Sequence, residues 1–278
     1  MRRILHRPTV RWVLAIIITV SAAVYQRMTG PTYPLRGDKA LDSENISYRL
    51  PRSHGGSGDL PVSIQSPSEE YTANIIYRRY KANDTWTRIS MNQNSLSGNL
   101  TALLPHQPPA GKLEYFIVLK KGDREWTIPE RETIVVRFKG YVPKLVLVPH
   151  VLLMFFAMLL STVSGLEAIF GGKRLKIYTW ITTICLFTGG MILGPIVQKF
   201  AFGAYWTGIP FGYDLTDNKL LFSVIFWLIA LFQVNRPQSK YKKSWVIAAA
   251  VVLLLIYSIP HSVMGSELDY KTMEVKTG

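Results

Sequence analysis

The sequence predicts a helical membrane bundle of five spans carrying an antiparallel β-sandwich outside the bilayer. Two observations carry this. Averaged over 278 residues, 48% hydrophobic content and 18% charged residues describe an ordinary globular chain, but the apolar residues collect in one N-terminal run and four runs after Leu145. Residues 30–140 instead look like an ordinary soluble domain, with the short alternating patterns of strands over 58–139.

The first run, Trp12 to Val24, follows Arg2, Arg3, Arg7 and Arg11. It is either a signal peptide, with Ser21-Ala22-Ala23 as the cleavage site, or an uncleaved anchor extending to Met28. Trp12 and Tyr25, placed where interfacial aromatics belong, favour the anchor. The next spans are expected at about Leu145–Ile169, Ile177–Val197, Leu215–Val234 and Ser244–Val263. The strictly apolar part of the last, Trp245 to Ile259, measures about 22 Å as a helix and is short for a hydrocarbon core of roughly 30 Å.

Charge sets the expected orientation. The formal net charge of +14 would ordinarily suggest a nucleic-acid partner, but its basic residues cluster in alternate short loops: before the first run, at Lys173, Arg174 and Lys176, and at Arg236, Lys240, Lys242 and Lys243. Such clusters mark the cytoplasmic side of a plasma-membrane protein, so the excess charge reports topology, with no nucleic acid implied. The N-terminus is then inside, and the strand region and C-terminus outside.

The expected organisation is an anchor or signal segment at 1–28, a linker at 29–57 with Gly55-Gly56-Ser57-Gly58 at its end, a β-domain at 58–140, a four-helix bundle at 141–264 and an outside tail at 265–278. Within the β-domain, Ala73–Tyr80 and Thr85–Met91 alternate around a turn at Lys81-Ala-Asn-Asp84, and Leu113–Leu119 pairs with Glu125–Ile128 around Lys120–Arg124. Thr133–Phe138 leads into the membrane. Asn45, Asn83 and Asn99 begin glycosylation sequons, a cheap three-residue signal.

The stretch Leu100–Tyr115, where a Leu-containing strand ends at Pro105 and the next begins near Tyr115, resembles the corner of fibronectin type III and related immunoglobulin-like domains. The resemblance covers about 80 residues and implies an all-β immunoglobulin-like sandwich. It implies no chemistry, because such domains serve adhesion, assembly and spacing alike.

Chemical motifs are scarce. The chain has no P-loop, dinucleotide fingerprint, His-Glu-x-x-His or Gly-x-Ser-x-Gly, and a single Cys, Cys185, excludes an intramolecular disulfide and any Cys-rich metal site. These absences disfavour most enzyme classes. What remains gathers on the outer face. His150 after Pro149, His261 after Pro260, and the aromatic loop 198–219 with Trp206 and Asp214 are expected at similar depth, where two imidazoles could hold haem or a metal ion. The loop faintly resembles the Trp-rich outer loop of haem-handling cytochrome c assembly proteins, which implies flanking His ligands, here His150 and His261; only one Trp is present and its separation from Asp214 is long.

Each of these residues also has a structural reading. Asp217 or Thr216 can cap the fourth span with Asp214 favourable near its positive end, the aromatics can form an interfacial belt, Ser266 with Asp269 can start a helix, and Gly189, Gly190 and Gly194 suit close helix packing. Glu167 is expected to pair with a nearby Lys or Arg, or less favourably to relay protons in a transporter. The functional expectation is a non-catalytic assembly, scaffold or accessory subunit with a protein partner or a second copy of itself, and the alternative is a haem- or metal-binding protein.

Overall fold

The computed structural model describes residues 7–41, 44–66, 68–94, 98–261, 263 and 265–276. Arg2 and Arg3 of the first basic cluster, and Ser262 and Met264 of the tail, lie outside the described residues. Helix α1 (Pro8–Thr29) leads into strands β1 (Leu35–Leu41), β2 (Glu44–Leu50), β3 (Ser53–Gly55), β4 (Leu60–Gln65), β5 (Thr72–Arg79), β6 (Thr87–Gln93), β7 (Asn99–Leu104), β8 (Lys112–Lys121), β9 (Arg124–Ile128) and β10 (Ile134–Lys139). Helices α2 (Lys144–Phe170), α3 (Leu175–Leu186), α4 (Gly194–Phe202), α5 (Leu215–Asn235) and α6 (Lys242–Ser258) follow, with a π-helical stretch, Phe187–Leu193, joining α3 to α4. The tail closes with a small hairpin, β11 (Glu267–Asp269) and β12 (Glu274–Lys276).

The expected immunoglobulin-like sandwich is not what forms. Eight strands make one mixed, nearly closed, barrel-like sheet in the order β3-β10-β8-β5-β6-β7-β4, with β9 pairing β8. Two features prevent a clean division into two facing sheets. Strand β6 pairs with both β5 and β7, so hydrogen bonding continues around the domain instead of breaking. Strand β3 then pairs in parallel with β10, Ser53 opposite Arg137 and Gly55 opposite Lys139, which an all-antiparallel fold does not contain.

Residues 29–57, expected as a linker, are part of this domain. The β1–β2 hairpin runs in register from Leu35 opposite Leu50 to Leu41 opposite Glu44. Leu41, Ile46 and Leu50 enter the same core as Val62, Ile75, Ile117 and Phe138, and Tyr115 donates from its hydroxyl to Pro51 O at 2.9 Å. Each such side chain is worth roughly 1.5–3 kcal/mol when fully buried, enough to recruit a segment whose Gly-Ser composition reads as open chain.

Among the described residues the bundle has five helical rods, and four of them are long and apolar enough to cross a membrane: Pro8–Thr29, Lys144–Phe170, Leu175–Phe202 and Leu215–Asn235. The expected fifth span, α6, falls short of that length, although it runs from the basic-loop end of the bundle back to the β-domain, where the tail after it is bound. The last rod, α6, has 17 residues, about 25 Å. Its hydrophobic run is cut at Ser258 because Pro260 drives the preceding Ile259 into extended backbone (φ −77, ψ 123). Trp227, Ala157, Ala249 and Val246 form the fully buried centre, and exposed Phe155, Phe156, Ile225, Leu228, Val251 and Leu255 leave an apolar perimeter suited to lipid.

The described members of each basic cluster fall at the end of the bundle remote from the β-domain, because α2 leaves β10 at one end and reaches the turn at Gly171 at the other. There Arg11 Nη2 of α1 meets Glu167 Oε1 of α2 at 3.2 Å, both side chains 5% exposed. Trp12 packs edge-on against Tyr178, their centroids 5.9 Å apart, and Ala15 is fully buried beside Leu160 and Val163. The other end of α1 is tied to α6 by Gln26, whose Nε2 donates to Tyr257 O at 2.7 Å.

Candidate functional site

The richest polar chemistry lies where the β-domain meets the bundle. Helix α4 stops at Gly203, whose φ of 88 falls in the left-handed region that glycine adopts without a Cβ penalty. The loop beyond folds on itself. Phe211 N and Gly212 N donate to Gly208 O, Asp214 N donates to Thr207 O at 3.1 Å, and Trp206 Nε1 donates to Ile209 O at 3.1 Å.

Two carboxylates then fix the loop to α5. Asp214 is the N-cap, its Oδ1 accepting from Thr216 N at 2.8 Å; its Oδ2 accepts from Ser266 N at 3.1 Å and Ser266 Oγ at 3.0 Å. Asp217 Oδ2 accepts from Thr207 N at 2.6 Å and from Gln198 Nε2 at 3.1 Å. The cap is therefore Asp214 and not Asp217 or Thr216, and Ser266, expected with Asp269 at a helix start, instead pins the tail beneath the loop as Asp269 enters β11.

From the β-domain, Arg137 on β10 reaches into this cluster. Its guanidinium donates to Ser266 O at 2.5 Å and lies 4.0 Å from the centroid of the Phe202 ring. Burial pulls its pKa down to about 10, opposed by Asp214 and Glu267, so it stays charged at neutral pH. Beside it Gly140 N donates to Ala201 O at 3.0 Å, and a Cβ at Gly140 would stand 2.2 Å from Phe200 O, so only glycine lets β10 come this close to α4. The tail completes the joint: Lys112 Nζ donates to Glu267 Oε2 at 2.6 Å, Leu268 N to Ala110 O at 3.1 Å, and Tyr270 OH to Lys112 O at 2.9 Å.

Both histidines border this region. His150 lies in the second turn of α2 and its Nδ1 is 2.8 Å from Gly189 O, within the π-helical stretch. A carbonyl only accepts, so Nδ1 carries the proton and Nε2 is left as the acceptor. His261 follows α6 at an exposed position, its ring edge-on to Tyr257 at 6.5 Å. The surrounding chain, then Lys219, His150 and Lys139, draw its pKa down to about 4, with Asp214 opposing. Lys219 itself is buried, and its Nζ donates to Ile259 O at 3.2 Å and Pro260 O at 3.3 Å.

The four residues singled out from the sequence thus fall into two sets. Asp214 joins Ser266, Thr207 and Arg137, Trp206 braces its own loop, and the two histidines approach the same end of the bundle from α2 and α6. Among the described residues no three His, Cys, Asp or Glu side chains gather as a metal-binding group. Sequence reading missed Arg137 and Lys219, and gave Ser266 a helix start in place of its contact with Asp214. Arg137 sits in a strand whose alternation hides it, and Lys219 looks like a solvated residue at a helix start; their spatial neighbours are distant in sequence.

This architecture is that of a polytopic helical protein with spans suited to a membrane and one β-domain locked onto an end of its bundle. Neither a protein-family model nor a curated protein matches the chain.

Proposed function

We propose that the protein is a non-catalytic assembly or accessory subunit of an envelope complex in the cytoplasmic membrane, with the N-terminus and basic loops inside and the β-domain and tail outside. The observation that carries the reading is the buried joint of Arg137, Asp214, Thr207 and Ser266, which fixes the β-domain at a set height and orientation on the bundle. Such a rigid platform suits presentation of a β-surface to a partner, since no ordering cost is left to be met on binding. In this reading α1 is a retained anchor: cleavage after Ala23 would remove Arg11 and leave Glu167 buried without its cation. Cross-linking at native expression followed by gentle solubilisation is expected to return a larger complex, and recovery of monomer alone overturns the proposal. Intact mass of the membrane-extracted chain reads the anchor directly.

A second reading, a haem or metal site, is favoured by one observation. His150 donates Nδ1–H to a backbone carbonyl and presents Nε2, the arrangement in which ligating imidazoles are commonly oriented. An optical spectrum with metal analysis, comparing the native protein with His150→Ala and His261→Ala, tests it. A Soret band or bound metal lost in both variants supports the site, and a colourless, metal-free protein expressed with cofactor supplied sinks it.

A further inference from the structure

The barrel-like sheet comes open between β6 and β7. Their pairing covers only Asn92 opposite Thr101 and Gln93 opposite Leu100, while β6 is paired with β5 from Thr87 to Met91 and β7 with β4 along its whole length. Asn94 N donates to Asn99 O at 2.8 Å, and hydrogen-bonding direction alternates along a strand, so Asn92 and the residues two and four before it, Ser90 and Arg88, also turn their N–H and C=O toward β7. Ser90 and Arg88 lie beyond the end of that pairing. Carried on, the register would set Ser90 opposite Leu103 and Arg88 opposite Pro105, and a proline has no N–H to give a ladder. The two strands fork here.

The fork leads into a cleft of about 520 Å³, lined by Thr85 and Thr87 at the start of β6, Pro105 and Gln107 after β7, and Tyr77 and Leu113 of β5 and β8. Its outer rim offers two side chains with nothing to meet. Leu103, on β7, is 54% exposed. Arg88, on β6, is exposed and among the described residues has no carboxylate partner, whereas the nearby Arg78 and Arg79 are engaged by Glu114 and Asp84. An open strand edge beside an exposed apolar side chain is a template for another strand, and proteins ordinarily cover or blunt it.

We propose that the fork between β6 and β7 receives an extended segment of a protein partner, which adds a strand along β6 at Arg88 and Ser90. N–H and C=O groups repeated at strand spacing call for another backbone, and main-chain hydrogen bonds to them supply the affinity. An acidic side chain beside Arg88 and an apolar one beside Leu103 supply the choice of segment. The inference rests on the assembly reading above and names the partner that reading requires, a protein with an unpaired, acid-bearing strand or tail.

The test uses the full chain in its native membranes, with a photoreactive phenylalanine analogue placed at position 88, at 103 or, as a control, at 125 on β9. Illumination is expected to link the first two positions, and not the third, to one short segment of another protein, identified by peptide sequencing. That segment, synthesised, is then titrated on the purified chain. Ser90→Pro should weaken its binding at least about tenfold, because the ring replaces the edge N–H and blocks an added strand. The melting temperature should stay close to that of the native chain, since this N–H lies outside the β5–β6 ladder and the side chain gives up only an exposed bond to Asn74. Arg88→Glu, at an exposed position, should weaken binding likewise and gives the same reading should Ser90→Pro fail to fold. Links to a second copy of this chain, links no stronger than those from position 125, or a titration indifferent to both variants overturn the proposal. A complex that survives in Ser90→Pro membranes removes the fork and leaves the assembly reading standing, whereas recovery of monomer alone from the native chain removes both.

Discussion

Arg11 Nη2 lies 3.2 Å from Glu167 Oε1 in a pair that is almost wholly enclosed, joining the first helix to the second at the end of the bundle remote from the β-domain. Among the described residues Arg11 Nε and Glu167 Oε2 find no hydrogen-bond partner. Removing either member alone leaves a buried charge and is expected to cost about 3–5 kcal/mol, whereas exchanging both for apolar residues of similar size should cost much less. Thermal unfolding of Arg11→Met, Glu167→Met and the double variant measures this; a double variant as damaging as the sum of the two singles contradicts it.

Gly172 is expected to be intolerant of substitution for the same reason. A Cβ there would fall 1.2 Å from Glu167 Oε2. Gly172→Ala should displace the carboxylate from Arg11 and lower the melting temperature toward that of the single Arg11 variant. In the Arg11→Met/Glu167→Met background the alanine should do little further harm, which a double-mutant cycle reads.

At the opposite end, Asp214→Ala removes the cap of α5, worth about 1 kcal/mol, and also strips Ser266 N of its acceptor and Arg137 of its nearest compensating charge, for a total of about 3 kcal/mol. Asp214→Asn keeps a capping oxygen and should fall between. Protease sensitivity of the tail should rise in parallel, and an unchanged tail in Asp214→Ala would separate the tail from the joint.

Gly140→Ala is predicted to loosen the β-domain from α4, because the added methyl would meet the Phe200 carbonyl; overpacking of this kind typically costs about 1–3 kcal/mol. Hydrogen exchange should quicken at Gly140, whose amide donates to Ala201 O, while the β-domain core stays protected.

Acid should open the tail hairpin before the domain core. Asp269 is drawn down to about 2 by its hydrogen bond to Lys276 and then by the amide of Lys271 and, more weakly, Thr272. Its contribution is fully present above the ordinary aspartate value of about 4 and is lost as pH falls through about 2. Hydrogen exchange at Asp269–Lys276 should therefore rise across that window, and Lys276→Ala should move the rise to higher pH.

Much of this molecule was decided locally. Runs of apolar residues place the helices of the bundle, and the alternation of β5, β6, β8 and β9 is visible in the residues themselves, because each depends on neighbours within a few positions; that α6 stops before Pro260 instead of reaching Val263, and that Asp214 caps α5 in place of Asp217 or Thr216, emerged only in the folded chain. Glu167 announced its need for a cation, though not that Arg11 would supply it. Other features needed long-range contacts. Leu41, Ile46 and Leu50 become core only when β1 and β2 fold against β4, and the turn from an expected sandwich to a barrel-like sheet rests on β3 pairing with β10, some 80 residues away. Arg137 and Lys219 acquire their roles only where β10, the helix ends and the tail converge, since burial and the distribution of charge around a side chain are properties of the folded assembly.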